Sequence, residues 1–309
     1  MKLKTLILIL LVFYILSSIS SPYKKTTKKT TTGTTTGTTT TGTTGGTTGG
    51  TTTAGTTTGT TAAGKWIIVA HGGEQVIYDA SVTPLTFQHL SNPWAYATDI
   101  FRYAQIRNML ISLDSFVMKF DSITNTWSHP RLYPPTDFTA GTMGDTLIGF
   151  DGKITTYIPA TDSWTPLVQG PPDISYLSLW WYVIVGNMVI SYRGEKMSSL
   201  VNGVWSSIQP GPGAPTGGHG DAWHLSLGNV LISMYGSISR YTATGWSTPS
   251  QGLPLLTGRD NGWACVAGNL VISSKGQICK YNTNGTFTTV TTTPALNPDQ
   301  FWVGALKIA

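Results

Sequence analysis

WACVAGNLVISSKGQICKYNTNGTF, residues 263–287, decides how the rest of this chain is read. It opens on an aromatic-led apolar run, turns at Gly268-Asn269, and continues in a second apolar run that ends on Ile272-Ser273. A turn at Gly276 follows, then a run to Tyr281, a polar turn and Phe287. Short apolar runs bounded by Gly and Asn are the signature of strands and tight turns, so the stretch spells four strands. The same grammar occurs six times between Lys65 and the C-terminus.

Three landmarks align the copies. The second strand opens at Trp66, Met109, Thr146, Met188, Val230 and Leu270; the third ends on Tyr78, Phe120, Tyr157, Leu200, Tyr241 and Tyr281; the fourth carries Phe87, Trp127, Trp164, Trp205, Trp246 and Phe287. Each series steps by about 40 residues, the length of a four-stranded propeller blade. The first strands are expected at 100–106, 138–143, 181–185, 223–227, 263–267 and 302–306. No such run precedes Trp66, and the surplus first strand stands at the C-terminus. The two ends therefore share a blade, and the ring closes without leaving sheet edges unpaired. The fold class is all-β: a six-bladed propeller over residues 65–309, its C-terminal strand completing the first blade.

The pattern resembles the kelch-repeat and galactose-oxidase-like propellers. IIVAHGGEQVIYDASVTPLTF (67–87) has that family's double glycine at Gly72-Gly73, and VMKFDSITNTW (117–127) and ITTYIPATDSW (154–164) its aromatic and later Trp. Only the first repeat keeps both glycines; later ones reduce them to Gly194, Gly236 and Gly276 or lose them. The resemblance implies the fold, and leaves binding, structural and enzymatic roles all open, because such rings serve each of them.

The first 64 residues are of another kind. Lys2 and Lys4 precede an apolar run at 6–16, and Ser18-Ile19-Ser20 supplies small residues for a signal peptidase. A run of 11 apolar residues is short against the roughly 20 needed to span a bilayer, so residues 1–20 are expected to be a cleaved secretory signal, with an uncleaved anchor as its rival. Residues 21–64 are basic at Lys24, Lys25, Lys28 and Lys29 and then almost wholly Thr and Gly. Such a segment cannot bury enough apolar surface to order itself. It is expected to be a disordered tether, either a plain linker or an O-glycosylated stalk. The expected localisation is extracellular or at the cell surface.

The net charge of +5 comes from this leader, which holds 6 lysines and no acids and leaves the ring at −1. A near-neutral ring is a poor nucleic-acid binder, and no membrane span is expected once the signal is removed. The ring is expected to be monomeric, with a glycan or a surface protein as its partner. Cys265 and Cys279 fall on the first and third strands of one blade, about 9 to 10 Å apart, too far for a disulfide. They are expected to be free, buried thiols. Asn284-Gly285-Thr286 is an N-glycosylation sequon and Asn-Gly also a favoured two-residue hairpin turn.

Strand order sorts loops onto two faces. The loops before each first strand and between second and third strands share one face, here the first face, which takes most of the acids together with His71, Arg193, His219, Arg259 and Lys275. An Asp recurs just before the first strands: Asp99, Asp137, Asp221, Asp260 and Asp299. Carboxylates gathered at a channel mouth repel unless paired, protonated or bridged by a hard cation such as Ca²⁺. A cation at Asp221, Asp260 and Asp299, or a polyhydroxylated ligand, is one reading; Asp side chains bonding backbone N–H groups of the adjoining turn is the other. With His219 and Arg259 these aspartates are the candidate ligand-binding residues.

No catalytic residue is assigned. His219-Gly220-Asp221-Ala222-Trp223-His224 has metal-ligand types but points Asp221 and His224 to opposite sides of a strand. A sialidase's Ser-x-Asp-x-Gly-x-Thr-Trp boxes are absent, and so is any identifiable tyrosine-cysteine pair of the copper oxidases. A carbohydrate-active enzyme using the central pocket and a structural coat protein stay open as alternatives. The fourth-strand aromatics are expected to pack between blades, whereas Trp94, Tyr96, Tyr133 and Trp180 fall in connections where they could stack on sugar.

Overall fold

The computed structural model describes residues 64–82, 84–90, 103–112, 115–129, 133–136, 139–172, 182–217, 221–256, 262–291 and 295–308. It is a six-bladed β-propeller of antiparallel sheets. From the axis outward the first blade orders Trp302–Lys307, Lys65–Ala70, Gln75–Asp79 and Phe87–His89. The C-terminal strand pairs antiparallel with Lys65–Ala70, setting Leu306 opposite Ile67 and Ala305 opposite Ile68. The first and last strands of the ring thus meet in one sheet.

The other blades run in simple sequence, with first strands Tyr103–Ile106, Thr139–Met143, Tyr182–Val185, Trp223–Leu227 and Trp263–Ala267. The second strands Met109–Ser112, Thr146–Gly149, Met188–Ser191, Val230–Ser233 and Leu270–Ser273 open where the repeat sets them. These second strands show no polar alternation, and packing explains why. Leu110 faces the first blade while Met109 and Ile111 face the third; Leu231 faces the fourth while Val230 and Ile232 face the sixth. A strand sandwiched between two neighbours is apolar on both sides.

The core is accordingly divided among the seams. Among the described residues there are six clusters of buried apolar residues, and each straddles two adjacent blades. The fourth-strand aromatics belong to these seams, as expected from their recurrence. All but Trp205, which faces Leu200, also tilt against a third-strand ring of their own blade, for example Phe120 to Trp127 at 4.9 Å between ring centroids, Tyr157 to Trp164 at 5.3 Å and Tyr241 to Trp246 at 5.0 Å. Trp127 Nε1–H crosses a seam to donate to Gln75 Oε1 at 2.8 Å, and Trp246 Nε1–H meets Met197 Sδ at 3.3 Å.

Backbone bonds repeat at the seams as well. The amides of Trp223, Trp263 and Trp302 donate to the carbonyls of Tyr192, Met234 and Ser274, each in the preceding blade. Each of these tryptophans is fully buried against the glycine of the preceding second-to-third-strand loop. At Gly194, whose φ is +71, a Cβ would stand 2.3 Å from Trp223 Nε1. Glycine is required there because an indole occupies the space of any side chain.

Cys265 and Cys279 are free and buried, on strands Trp263–Ala267 and Ile278–Tyr281 with Leu270–Ser273 between them. The Asn284 turn differs from the two-residue form expected. Gly285 N–H donates to Asn282 O and Asn282 N–H to Thr286 O, with only Gly285 at positive φ, so three residues span the hairpin. The Asn-Gly pair at Asn202-Gly203 has φ of 51 and 77 and is the two-residue turn, as a type I′ hairpin requires.

The fourth strand is broken in three blades, which the repeat grammar missed. Ser163–Trp164 and Val168–Gln169, Val204–Trp205 and Gln209–Pro210, and Gly245–Trp246 and Ser250–Gln251 are paired segments separated by a short gap. In each gap a buried hydroxyl of the third strand donates to a backbone carbonyl: Thr155 to Thr165 O at 2.6 Å, Ser198 to Ser206 O at 2.9 Å and Ser239 to Ser247 O at 2.7 Å. The blades with unbroken fourth strands carry Val76, Met118 and Cys279 at that position.

Candidate functional site

Four of the second-to-third-strand loops of the first face share one construction. A strand-ending serine accepts the backbone N–H that closes the loop: Ser112 Oγ from Phe116 at 3.0 Å, Ser191 Oγ from Lys196 at 3.2 Å, Ser233 Oγ from Ser237 at 2.9 Å and Ser273 Oγ from Gln277 at 2.9 Å. The Ile-Ser of the repeat is therefore a loop clamp. With the following glycine committed to the seam, the residue just before that glycine is left as the tip. It is Arg193, Tyr235 or Lys275 in the fourth to sixth blades; the third blade, whose second strand ends on Gly149, sets Asp151 before Gly152 without that clamp.

The tips differ in their surroundings. Asp151 is neutralised by Lys153, Nζ to Oδ2 at 2.8 Å, and the lysine's ammonium and amide hold its carboxyl below the usual range. Arg193 is exposed and lies over the Tyr192 ring at 5.6 Å; exposed Lys275 lies over the Phe301 ring at 5.6 Å. Tyr235 is half-buried. Where the ring closes, Glu74 meets His89 Nδ1 at 3.0 Å and accepts from Asn297 Nδ2 at 3.4 Å. Asn297 also accepts the Asp299 amide on Oδ1 at 3.0 Å and the Trp302 indole on its carbonyl at 3.1 Å, which pins the closing loop.

Of the aspartates expected around the channel, two are described. Asp221 is buried, and its Oδ1 accepts the amides of Ala222 at 2.8 Å and Tyr235 at 3.3 Å while Oδ2 accepts Ser233 Oγ at 2.8 Å. It brackets the turn that leads into its first strand to the neighbouring loop, the backbone-bonding role of the two read from sequence. Asp299 is exposed. Asp99, Asp137, His219, Arg259 and Asp260 lie outside the described residues, as do Trp94, Tyr96 and Trp180. His224 is buried within its strand. Among the described residues no group of three His, Cys, Asp or Glu is disposed to hold a metal ion. Tyr133 serves as a loop anchor, its hydroxyl 3.2 Å from His129 Nδ1 and its ring 6.1 Å from Phe116.

Sequence reading passed over Tyr192, Tyr235 and Phe301 because they sit in loops without periodicity. The Ser-x-x-Gly frame around Tyr192 and Tyr235 was the available signal. On the opposite, second face a cleft of about 600 Å³ is lined by Lys119, Asp121, Ile123, Asp162 and Lys307 among others. Lys119 and Asp162 pair across it at 3.0 Å, and the Tyr157 hydroxyl donates to the same carboxylate at 2.5 Å. No helix among the described residues is long and apolar enough to cross a membrane.

No family model matches the sequence, and no curated protein matches it. Solved structures do. One described as YjhT is 12% identical over 74% of this chain and 95% of that one, with a TM-score of 0.44. A protein of unknown function from Bacteroides thetaiotaomicron is 9% identical over 70% of each chain, with a TM-score of 0.41. A chain of a mitotic checkpoint complex is 14% identical over 62% of this chain and 64% of its own, with a TM-score of 0.35.

Proposed function

We propose that this protein is a secreted or surface-displayed binding module, a divergent kelch-type ring that holds a glycan or a surface protein against its first face. The observation that carries this reading is the contrast inside the second-to-third-strand loops. In the fourth to sixth blades serine and glycine are spent on a constant frame, while the tip changes from guanidinium to phenol to ammonium. A rigid scaffold presenting chemically varied loop tips is how loops come to carry recognition.

Chain direction supports the choice of face. The tether joins at Lys65, beside Ile308, whose amide donates to Lys65 O at 2.8 Å, at the second-face end of the closing strands. The exposed sequon Asn284 sits in a third-to-fourth-strand hairpin of that same face. A glycan there would leave the first face unobstructed. Export predicts a mature chain that begins at Ser21, read by mass spectrometry of the secreted protein. Asp299, with Asp99, Asp137, His219, Arg259 and Asp260, supplies first-face groups for the ligand or for Ca²⁺.

Retention of the full chain on an array of glycans and cell-surface proteins tests the reading. Tyr235→Ala with Asp299→Asn should cut retention at least tenfold with the melting temperature unchanged, and Ile123→Ser with Val204→Ser on the second face should not. The opposite pattern, or no retention of any probe, overturns it. Loss on chelation that Ca²⁺ restores would support a bridging cation.

A further inference from the structure

We infer that the first face binds an anionic saccharide, one bearing carboxylate or sulfate, through Arg193, Tyr235 and Lys275. This deepens the proposed reading of the face and rests on it. The three residues hold the same position in the loops of the fourth, fifth and sixth blades, immediately before Gly194, Gly236 and Gly276. Consecutive blades are neighbours in the ring, so their tips form a basic, aromatic, basic crescent.

The charges of this crescent are uncommitted. Among the described residues neither Arg193 nor Lys275 has a carboxylate within ion-pair distance; each only overlies an aromatic ring. Three of the first-face acids have other work, while Glu195 and Asp299 are exposed. Asp151 is paired with Lys153, Glu74 is held by His89 and Asn297, and Asp221 is buried under three donated hydrogen bonds. The Tyr235 side chain makes no hydrogen bond or ring contact among the described residues, although its backbone is fixed by Asp221 and Gln251. A phenol ring held by its backbone and free at its tip offers an apolar face and a polar end together.

Each part selects a property of the ligand. A guanidinium fork fits a planar carboxylate or a sulfate edge bidentately, and an ammonium accepts any nearby anion as a point charge. The ring between them suits the C–H face of a pyranose. A repeating acidic saccharide presents charge, sugar face and charge in that order; a neutral saccharide would leave both cations without compensation.

The test uses the full chain carrying Lys24→Gln, Lys25→Gln, Lys28→Gln and Lys29→Gln, so that the basic leader does not itself bind polyanions. The probes are a heparin-derived oligosaccharide, an oligogalacturonate and a neutral malto-oligosaccharide. At least one acidic probe should bind more tightly than the neutral one and weaken as salt is raised. Arg193→Gln and Lys275→Gln should each weaken it about tenfold, the size of one lost charged hydrogen bond. Which acidic probe binds separates sulfate from carboxylate recognition. Tighter or equal binding of the neutral probe, lost in Tyr235→Ala, overturns the anionic inference and leaves the face as a binding surface. Acidic binding unchanged in both Gln variants also overturns it. Binding of no saccharide overturns the inference, and the face itself then stands or falls with the protein probes of the array.

Discussion

At the scale of single residues the fold turns on where a side chain is forbidden and where a proton is held. Gly194 and Gly228 both sit at positive φ, +71 and +59, but only the first has a neighbour: an added Cβ meets Trp223 Nε1 at 2.3 Å and Gly213 O at 2.4 Å, against nothing within 4 Å at Gly228. Gly228→Ala should therefore cost only the left-handed backbone, about 1 kcal/mol. Gly194→Ala adds an overpacked seam and should cost about 3 kcal/mol, and paired urea titrations read the difference. Burial acts on protons as well. It pushes the Cys265 thiol from 9.0 up to about 12, and burial with the nearby Asp79 charge pushes the Tyr78 phenol from 10.0 up to about 12. Both groups are neutral when protonated, so between their unfolded and folded values the native state holds more protons than the unfolded chain. Their contribution is complete below pH about 9 and drains as pH rises toward 12, each with a limiting slope of about 1.4 kcal/mol per pH unit. The urea midpoint should be flat from pH 7 to 8.5 and then fall, and Cys265→Ala should move the onset up toward the tyrosine range. A midpoint still flat at pH 11 would contradict the burial of both groups.

At the scale of the element, a buried hydroxyl decides whether a fourth strand is whole or broken. Ser239 is fully buried and donates to Ser247 O, whose own side chain accepts the Arg240 amide at 2.9 Å. The same pair of bonds recurs at Thr155 with Thr165 and at Ser198 with Ser206. Ser239→Ala removes the donor that holds the Ser247 carbonyl and should cost about 1 kcal/mol. Hydrogen exchange at the Arg240 and Ser247 amides should accelerate while that in the sixth blade, with Cys279 at this position, stays put. In the second to sixth blades the start of the second strand was legible to the residue, because burial from both sides writes a mainly apolar run that in four of the five ends at the clamp serine. The breaks were not, since a lone Ser or Thr inside a third strand resembles any polar alternation until its partner is seen. The candidate site shows the same limit. Asp221 was legible as a recurrent acid, but a sequence cannot say whether a carboxylate faces a ligand or its own turn. Arg193 and Lys275 were placed on the right face without anything to distinguish them from ordinary loop charges, because their lack of carboxylate partners is a property of the assembled ring.

For the whole molecule, each apolar cluster among the described residues lies in a seam between blades, so stability depends on closing the cycle. The last strand contributes to two seams at once, Trp302 and Ala305 toward the sixth blade and Val303 and Leu306 toward the second. Trp302, Val303 and Leu306 are fully buried, and uncovering them costs roughly 2 kcal/mol or more apiece. A chain ending at Gln300 would lose about 6 kcal/mol or more, comparable with the 5 to 15 kcal/mol that holds a typical domain together. It should give no cooperative unfolding transition. Failure of that truncation alone would not distinguish the loss of a strand from the loss of ring closure, and a circular permutant does. Ile308 N–H is already bonded to Lys65 O at 2.8 Å, so a short Gly-Ser linker can join these ends while the chain is reopened between Asn202 and Gly203 at an exposed hairpin tip. Every strand and seam is then retained and only chain order changes. The permutant should unfold in a single transition with a urea midpoint close to that of the parent. If it were as unstable as the truncation, continuity of the chain through the fourth blade, rather than the meeting of Trp302–Lys307 with Lys65–Ala70, would be what holds the ring.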